Sequence, residues 1–91
     1  MKVAVKNLHG TSGRKPKGYS SWEEFWIAHK GYWPTYCSAS DCCNKAEVGA
    51  HVIKVYGSNK WYIVPLCKAC NAREDIFYVD DSLLVPVNDN D

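Results

Sequence analysis

The order of apolar and polar positions predicts a small chain of strands with one aromatic helix near its start. Residues 1–8 alternate loosely between valines and lysines, which predicts a short edge strand. Residues 9–18 hold three glycines, one proline and three basic side chains, with no apolar residue to bury. We therefore expect a loop between this strand and the helix.

The helix is predicted to begin after Ser21 and to end at Gly31. Ser21 can cap the first turn, and Glu24 stands three residues later as its reciprocal partner in a capping box. Four ring-bearing side chains recur at spacings of three and four and share one face: Trp22, Phe25, Trp26 and His29. A helix of about nine residues is too short to be stable alone, so this face must pack on the rest of the chain.

The middle of the chain predicts a β-hairpin. Residues 48–56 and 60–66 are rich in Val, Ile, Tyr and Trp, and the three residues between them, Gly57-Ser58-Asn59, are a turn signal that contains glycine. Pro65 has no backbone N–H, so we expect strand pairing to stop near it. The remaining elements are less distinct. Residues 71–75 can form a short helix, residues 76–79 are an apolar run, and residues 83–87 predict a final strand.

The composition is that of one small globular domain. The chain has 91 residues, of which 46% are hydrophobic and 23% charged, so a disordered chain is excluded. It shows no signal peptide and no apolar run near the roughly 18 residues of a membrane span. We therefore expect no membrane partner and a reducing, cytoplasmic location. A domain of this size has a thin core, which a structural metal often supplements.

Charge is distributed unevenly along the chain. Residues 1–73 carry all eleven basic side chains and four of the ten acidic ones, a net charge of +7, whereas residues 74–91 carry six acidic and no basic side chains. A basic body permits an anionic partner such as nucleic acid. The alternative is that the acidic tail simply neutralises the body and maintains solubility.

Five cysteines are the most informative feature of the composition. The odd number argues against a closed set of disulfides. Cys67 and Cys70 are separated by two residues, and Cys37 can pair with either Cys42 or Cys43, so two cysteine pairs flank the predicted hairpin. This arrangement is typical of a structural zinc ion held by four thiolates. A redox Cys-x-x-Cys motif would require a βαβ context, which the pattern does not show.

The segment from Cys37 to Asn71 resembles the zinc-bearing HNH endonuclease family, and more closely its small stand-alone bacterial or phage members. In that family Cys-x4-Cys is followed by Ala and then His, and a hydrophobic-Leu-Cys-x2-Cys stretch ends the motif. Ala46 and His51 match this register when Cys42 is the second ligand. The resemblance therefore implies a treble-clef zinc core and one zinc ion on four ligands: Cys37, Cys42, Cys67 and Cys70. Cys43 is then left as a spare thiol that we expect to be buried.

The same resemblance places catalytic residues at His51 and Asn71. His51 matches the general base that activates water, and Asn71 lies where the family holds its divalent ion. Ala50, however, stands where the family usually has Asp, and Tyr62 stands where it usually has Asn. A hard cation such as Mg²⁺ usually requires at least one carboxylate, and without the ion the leaving oxygen is not stabilised. We therefore predict a catalytically inactive HNH-like zinc module in which His51 hydrogen-bonds the hairpin or a ligating thiolate. The alternative is a metal-dependent DNA endonuclease.

The sequence thus predicts an α+β fold in which residues 1–36 form a strand, loop and helix, 37–71 the zinc core, and 72–91 an acidic extension. The module, expected to be monomeric, would bind DNA or RNA, or else another protein through the acidic tail or the aromatic helix. Candidate phosphate-binding residues are the basic side chains of the loop and the core. They are Arg14, Lys15, Lys17, Lys54, Lys60, Lys68 and Arg73.

Overall fold

The computed structural model describes residues 1–9, 15–57 and 60–87, and these form an α+β fold. An antiparallel sheet carries a longer helix on one face and a short helix beside the cysteines. The elements in chain order are β1 (Lys2–Asn7), α1 (Trp22–Lys30), β2 (Val48–Lys54), β3 (Trp61–Leu66), α2 (Lys68–Asn71), β4 (Phe77–Asp80), a 3-10 turn (Asp81–Leu83) and β5 (Val85–Val87). The hydrogen-bonded order of the described strands is β4-β1-β2-β3-β5.

The prediction that the first strand is an edge strand is wrong. β1 pairs with β2 on one side, where Val5 lies opposite Lys54, and with β4 on the other, where Val5 lies opposite Phe77. The apolar run near residue 77 returns along the free side of β1 and moves it into the sheet interior. β4 and β5 are the edges instead.

The β2–β3 hairpin is confirmed, but its pairing does not stop at Pro65. Pro65 lies opposite Gly49, and pairing continues to Val48 and Leu66. The Pro65 carbonyl accepts the Ser38 N–H at 2.9 Å, outside the β2–β3 pair. Because the N and O of one strand residue point to the same side, the missing N–H also lies on the side away from β2, and no hydrogen bond of the hairpin is lost.

Side-chain alternation divides the apolar residues between the two faces of the sheet. Val5, Val52 and Val64 pack in one buried cluster together with the three buried cysteines. Ile63 and Val85 belong to a second cluster that they form with the aromatic face of α1. The fold therefore has a cysteine layer and an α1 layer, separated by the sheet.

Helix α1 agrees with its prediction in both bounds and caps. Ser21 Oγ accepts the Glu24 N–H at 3.1 Å, and Gly31 ends the helix with a left-handed φ of 84°. The Glu24 carboxylate differs from the predicted capping box, because it accepts hydrogen bonds from the N–H and hydroxyl of Ser20 rather than from Ser21. Trp22, Phe25 and Trp26 are buried, whereas His29 is exposed.

The elements after the hairpin begin at other residues than predicted. The short helix expected at residues 71–75 is α2, which starts at Lys68 because the side chain of Cys67 caps it by accepting the Cys70 N–H. The final strand expected at residues 83–87 shortens to β5, because the 3-10 turn occupies residues 81–83.

Candidate metal centre

Four cysteine side chains converge at one place in the described chain. The Sγ atoms of Cys37, Cys42, Cys67 and Cys70 all lie within 4.8 Å of one another, a group that could hold a metal ion. Cys37, Cys67 and Cys70 are buried, and Cys42 is half-buried. The sequence prediction named these four residues, and the fold brings them together.

The first pair, Cys37 and Cys42, lies in a loop whose two ends pair with each other. An isolated bridge joins Tyr36 to Lys45, and inside it the Cys37 N–H donates to the Asn44 carbonyl at 2.8 Å. The Cys42 N–H donates to the Ala39 carbonyl at 3.1 Å, which turns the Cys42 side chain back toward Cys37. The Ser38 N–H bond to β3 then fixes this loop beside the end of the hairpin.

The second pair comes from the start of α2, directly after β3. Cys67 caps the helix, and its Sγ accepts hydrogen bonds from the Cys70 N–H at 3.4 Å and from the Asn44 side-chain amide at 3.7 Å. The Asn44 backbone N–H also donates to Cys42 Sγ at 3.4 Å. Donors directed at sulfur favour the thiolate, which is the form that binds metal. Asn44 is a contributor that the sequence reasoning missed, since its position two residues after Cys42 is its only signal.

Burial and hydrogen bonding act in opposite directions on the thiols. Burial tends to raise the pKa of Cys67, but the donors from Cys70 and Asn44 outweigh it and lower that pKa to about 7. Burial raises the pKa values of Cys37 and Cys70 above their ordinary value. A cation that binds here at neutral pH must therefore displace protons, and its affinity falls as the pH falls.

The sulfur spacing fits tetrahedral coordination. Cys42 Sγ and Cys67 Sγ are 3.7 Å apart. Four sulfurs at about 2.3 Å from one ion lie roughly 3.8 Å from each other in a regular tetrahedron. The donor set and its dimensions therefore suit a four-coordinate thiolate metal.

Cys43 differs from its prediction. We expected a buried spare thiol, but Cys43 is exposed. Its neighbour Cys42 packs against the cysteine layer.

His51 and Asn71 differ in exposure and in neighbours. His51 is buried, with a 6% exposed fraction, and its ring packs edge-on against Trp22 at 4.6 Å and Trp61 at 6.1 Å between centroids. It pairs with Ile63 and shares the α1 layer. Asn71 is exposed at the end of α2, next to Cys70 of the cysteine layer.

Arg73 joins the cysteine loop to the chain after α2. Its guanidinium forms ion pairs with Asp41 at 2.8 Å and with Asp75 at 2.6 Å, and it lies over the Phe77 ring at 4.8 Å. These pairs raise the pKa of Arg73 and lower the pKa values of both carboxyl groups. The guanidinium is therefore committed to two carboxylates of its own chain.

Asn7 forms a second link to α2. Its buried side-chain amide donates to the carbonyls of Cys70 at 2.8 Å and Arg73 at 3.0 Å. Carbonyls at a helix end have no partner within the helix, so Asn7 fixes the end of α2 against β1.

The other predicted phosphate-binding residues differ from one another in exposure. Lys54 is half-buried, with its ammonium 5.1 Å from the centre of the Tyr62 ring. Arg14 lies outside the described residues. The remaining members of the set are exposed: Lys15, Lys17, Lys60 and Lys68.

Comparisons of this chain with protein-family models, with curated proteins and with solved structures found no match. Within residues 1–9, 15–57 and 60–87, no helix has both the length and the apolar character needed to cross a membrane.

Proposed function

We propose that the four cysteines bind one structural zinc ion, and that the zinc-held domain binds nucleic acid without cleaving it. The observation that carries the metal assignment is the convergence of four Sγ atoms within 4.8 Å. Four thiolates are a donor set typical of structural zinc, and a site with four protein ligands has no open position for substrate. The ion would hold the loop of residues 37–45 against α2.

The resemblance to HNH proteins belongs to this proposal. The cysteine loop, the β2–β3 hairpin and α2 follow one another in the order of a treble clef. α2 is only four residues long, so the proposed treble clef has a minimal helix.

Three features favour binding over cleavage. His51 is buried beneath Trp22, whereas a general base must reach the water that it activates. Ala50 and Tyr62 occupy positions where the HNH pattern has Asp and Asn. Hard cations need oxygen ligands, and neither residue supplies a carboxylate.

Nucleic acid is the proposed partner because of the charge of the described body. Ten of the eleven basic side chains lie within the described residues, and one of them, Arg73, is held by Asp41 and Asp75. Lys2, Lys15, Lys17 and Lys68 are exposed, and exposed lysines can contact phosphates.

Metal analysis of the purified chain tests the zinc assignment. We expect one zinc per chain, and we expect Cys42→Ser to lose the ion and unfold at room temperature. Structural zinc contributes on the order of 10–16 kcal/mol in finger peptides, far more than a small domain can spare.

Cys43→Ser is the matched control, because the exposed neighbouring thiol should not affect zinc content or the melting temperature. Metal-free wild-type protein that keeps its fold, or equal effects of the two substitutions, would contradict the assignment.

Plasmid nicking tests the absence of cleavage. We expect no nicking of supercoiled DNA with Mg²⁺, Mn²⁺ or Ni²⁺. Nicking that disappears in His51→Ala would instead support the alternative, an HNH-type DNA endonuclease.

A further inference from the structure

A groove lies where β1 extends beyond the end of β2. β1 pairs with β4 over Lys2–Val5, but its described pairing with β2 covers only residues 5–7. The Val55 N–H still donates to the Ala4 carbonyl at 2.9 Å, and the chain bends over residues 55–57. A groove of about 360 Å³ lies here, beside the first half of β1. We call this the β1 groove. Its lining residues are Lys2, Val3, Ala4, Lys54, Tyr56 and Tyr78.

Two exposed aromatic rings border the β1 groove. Tyr56 is 78% exposed and Tyr78 is 51% exposed. Large side chains this exposed do not contribute much to the core. A ring on the surface offers a flat face for a second aromatic system, such as a nucleic-acid base.

The charge of the groove is positive. Lys2 and Lys54 line it, and none of the described residues that line it carries a carboxylate. The nearest acidic neighbour in the strand register is Asp80, opposite Lys2. Its carboxylate is occupied, because it accepts the N–H of Ser82 at 3.0 Å and the hydroxyl of Ser82 at 2.7 Å and lies 3.5 Å from the Met1 amine.

We propose that the β1 groove binds single-stranded nucleic acid, with bases stacked on Tyr56 and Tyr78 and phosphates held by Lys2 and Lys54. This inference rests on the proposed nucleic-acid function and names its site. Rings flanked by ammonium groups are the recurring arrangement of single-strand binding surfaces. Unpaired strands expose base faces, whereas in a duplex each base is stacked against its neighbours. An extended peptide could also follow the free part of β1, but the lining charge favours a polyanion.

The experiment uses the zinc-loaded full chain and a fluorescein-labelled dT12 oligonucleotide, with binding measured by anisotropy at 50 mM NaCl. We expect Tyr78→Ala and Tyr56→Ala each to weaken binding by roughly fivefold or more, because stacking on a ring is lost. Tyr78→Phe keeps the ring and should remain within about twofold of wild type.

Tyr36→Ala is the matched control, since Tyr36 is 62% exposed but does not line the groove. The double variant Lys2→Gln, Lys54→Gln should reduce the dependence of log affinity on log salt by roughly 0.7 per lysine. Lys30→Gln, at the last residue of α1 and outside the groove lining, should leave that slope unchanged. Thermal melting of each variant shows that it is folded.

The possible failures are distinguishable. If wild-type protein binds neither dT12, nor the corresponding U12 RNA, nor a 12-base-pair duplex, both the groove and the nucleic-acid function are wrong. If it binds only the duplex, the groove is wrong but the function stands. If it binds and the Tyr56 and Tyr78 variants bind equally well, the groove is wrong but the function stands. Equal affinity for a 12-base-pair duplex would overturn the assignment to single strands.

Discussion

Gly49 shows how a single residue determines the position of α1. A Cβ added at this position would lie 2.7 Å from the Trp22 carbonyl carbon and 2.9 Å from the Glu23 nitrogen. These are backbone atoms at the start of α1, which cannot move without shifting the helix. The absent side chain thus allows the helix backbone to rest directly on β2, and it brings Trp22 over His51.

Gly49→Ala should therefore destabilise the domain. We expect a loss of about 1–3 kcal/mol in the free energy of unfolding, as for other overpacked sites, measured by urea titration. The near-ultraviolet circular dichroism should also change, because Trp22 and His51 shift relative to each other.

Gly57→Ala is the control for this prediction. Nothing lies within 4 Å of its added Cβ, so its cost comes only from the positive φ of 98°, and the aromatic signal should stay as in wild type. A Gly49→Ala protein with wild-type stability and dichroism would contradict the close approach.

At the metal site, the sequence identified the cysteines but not every residue that contacts them. Spacing alone allowed Cys37 to pair with Cys42 or with Cys43, and the resemblance, not the spacing, selected Cys42. The fold separates the two, because the loop directs Cys42 toward the other thiols and leaves Cys43 exposed. Hydrogen bonds from Asn44 to the sulfurs had no counterpart in any periodic pattern.

Among the elements, α1 and the β2–β3 hairpin could be predicted because their signals are local. A cap, an aromatic face and a terminal glycine all lie within the eleven residues 21–31, and β2 and β3 are consecutive strands of the chain. The position of β1 could not be predicted, since it depends on pairing with residues more than seventy positions away. The predicted start of α2 was wrong because its N-cap is Cys67. The sequence pattern marked this cysteine as a metal ligand and not as a helix cap.

The attachment of α1 depends on Trp26. This side chain is fully buried, and its indole N–H donates to the Leu83 carbonyl at 2.8 Å. Trp26→Phe should lower the free energy of unfolding by about 1–3 kcal/mol, because the Leu83 carbonyl loses its donor. The smaller side chain also leaves a cavity, which lowers it further. Unfolding in urea followed by far-ultraviolet circular dichroism measures the change.

Trp33→Phe is the matched comparison for Trp26. Trp33 is half-buried and makes a longer bond of 3.2 Å to the Ala46 carbonyl, so we expect a smaller effect. Equal losses in the two variants would show that the Leu83 contact does not anchor the helix.

At the scale of the whole molecule, Arg73 connects parts of the chain that lie far apart in sequence. Its pairs with Asp41 and Asp75 hold the cysteine loop against the segment that leads to β4. The sequence predicted a phosphate contact for Arg73 because Arg73 is one of the basic side chains of the core. The charge pattern does not show that Asp41 and Asp75 fold against it.

Stability should depend on pH through these pairs. The Arg73 guanidinium lowers the pKa values of Asp41 and Asp75 below 3.8. A carboxyl group with a lowered folded-state pKa adds stability above its unfolded pKa, and this contribution is lost as the pH falls through the folded value. The stability gap between wild type and Arg73→Gln should therefore be full near pH 7 and narrow as the pH falls below about 4.

Carboxyl-carbon NMR shifts followed from pH 6 to pH 4 check this directly. Both aspartates should remain ionised in wild type and begin to protonate in Arg73→Gln, with Arg73→Lys between the two because it keeps the charge but loses the paired geometry. Identical titration in all three proteins would contradict the coupling.

The sequence by itself determined the local features: the aromatic helix with its caps, the hairpin, and two cysteine pairs around it, in which spacing left Cys42 and Cys43 as alternatives. Each of these is encoded by neighbours in the chain. Only the tertiary structure decided that β1 lies inside the sheet, that His51 is buried under α1, and that Arg73 is held by two carboxylates. The β1 groove also exists only in the tertiary structure. These features depend on which distant segments pack together, and periodicity and spacing carry no information about that choice.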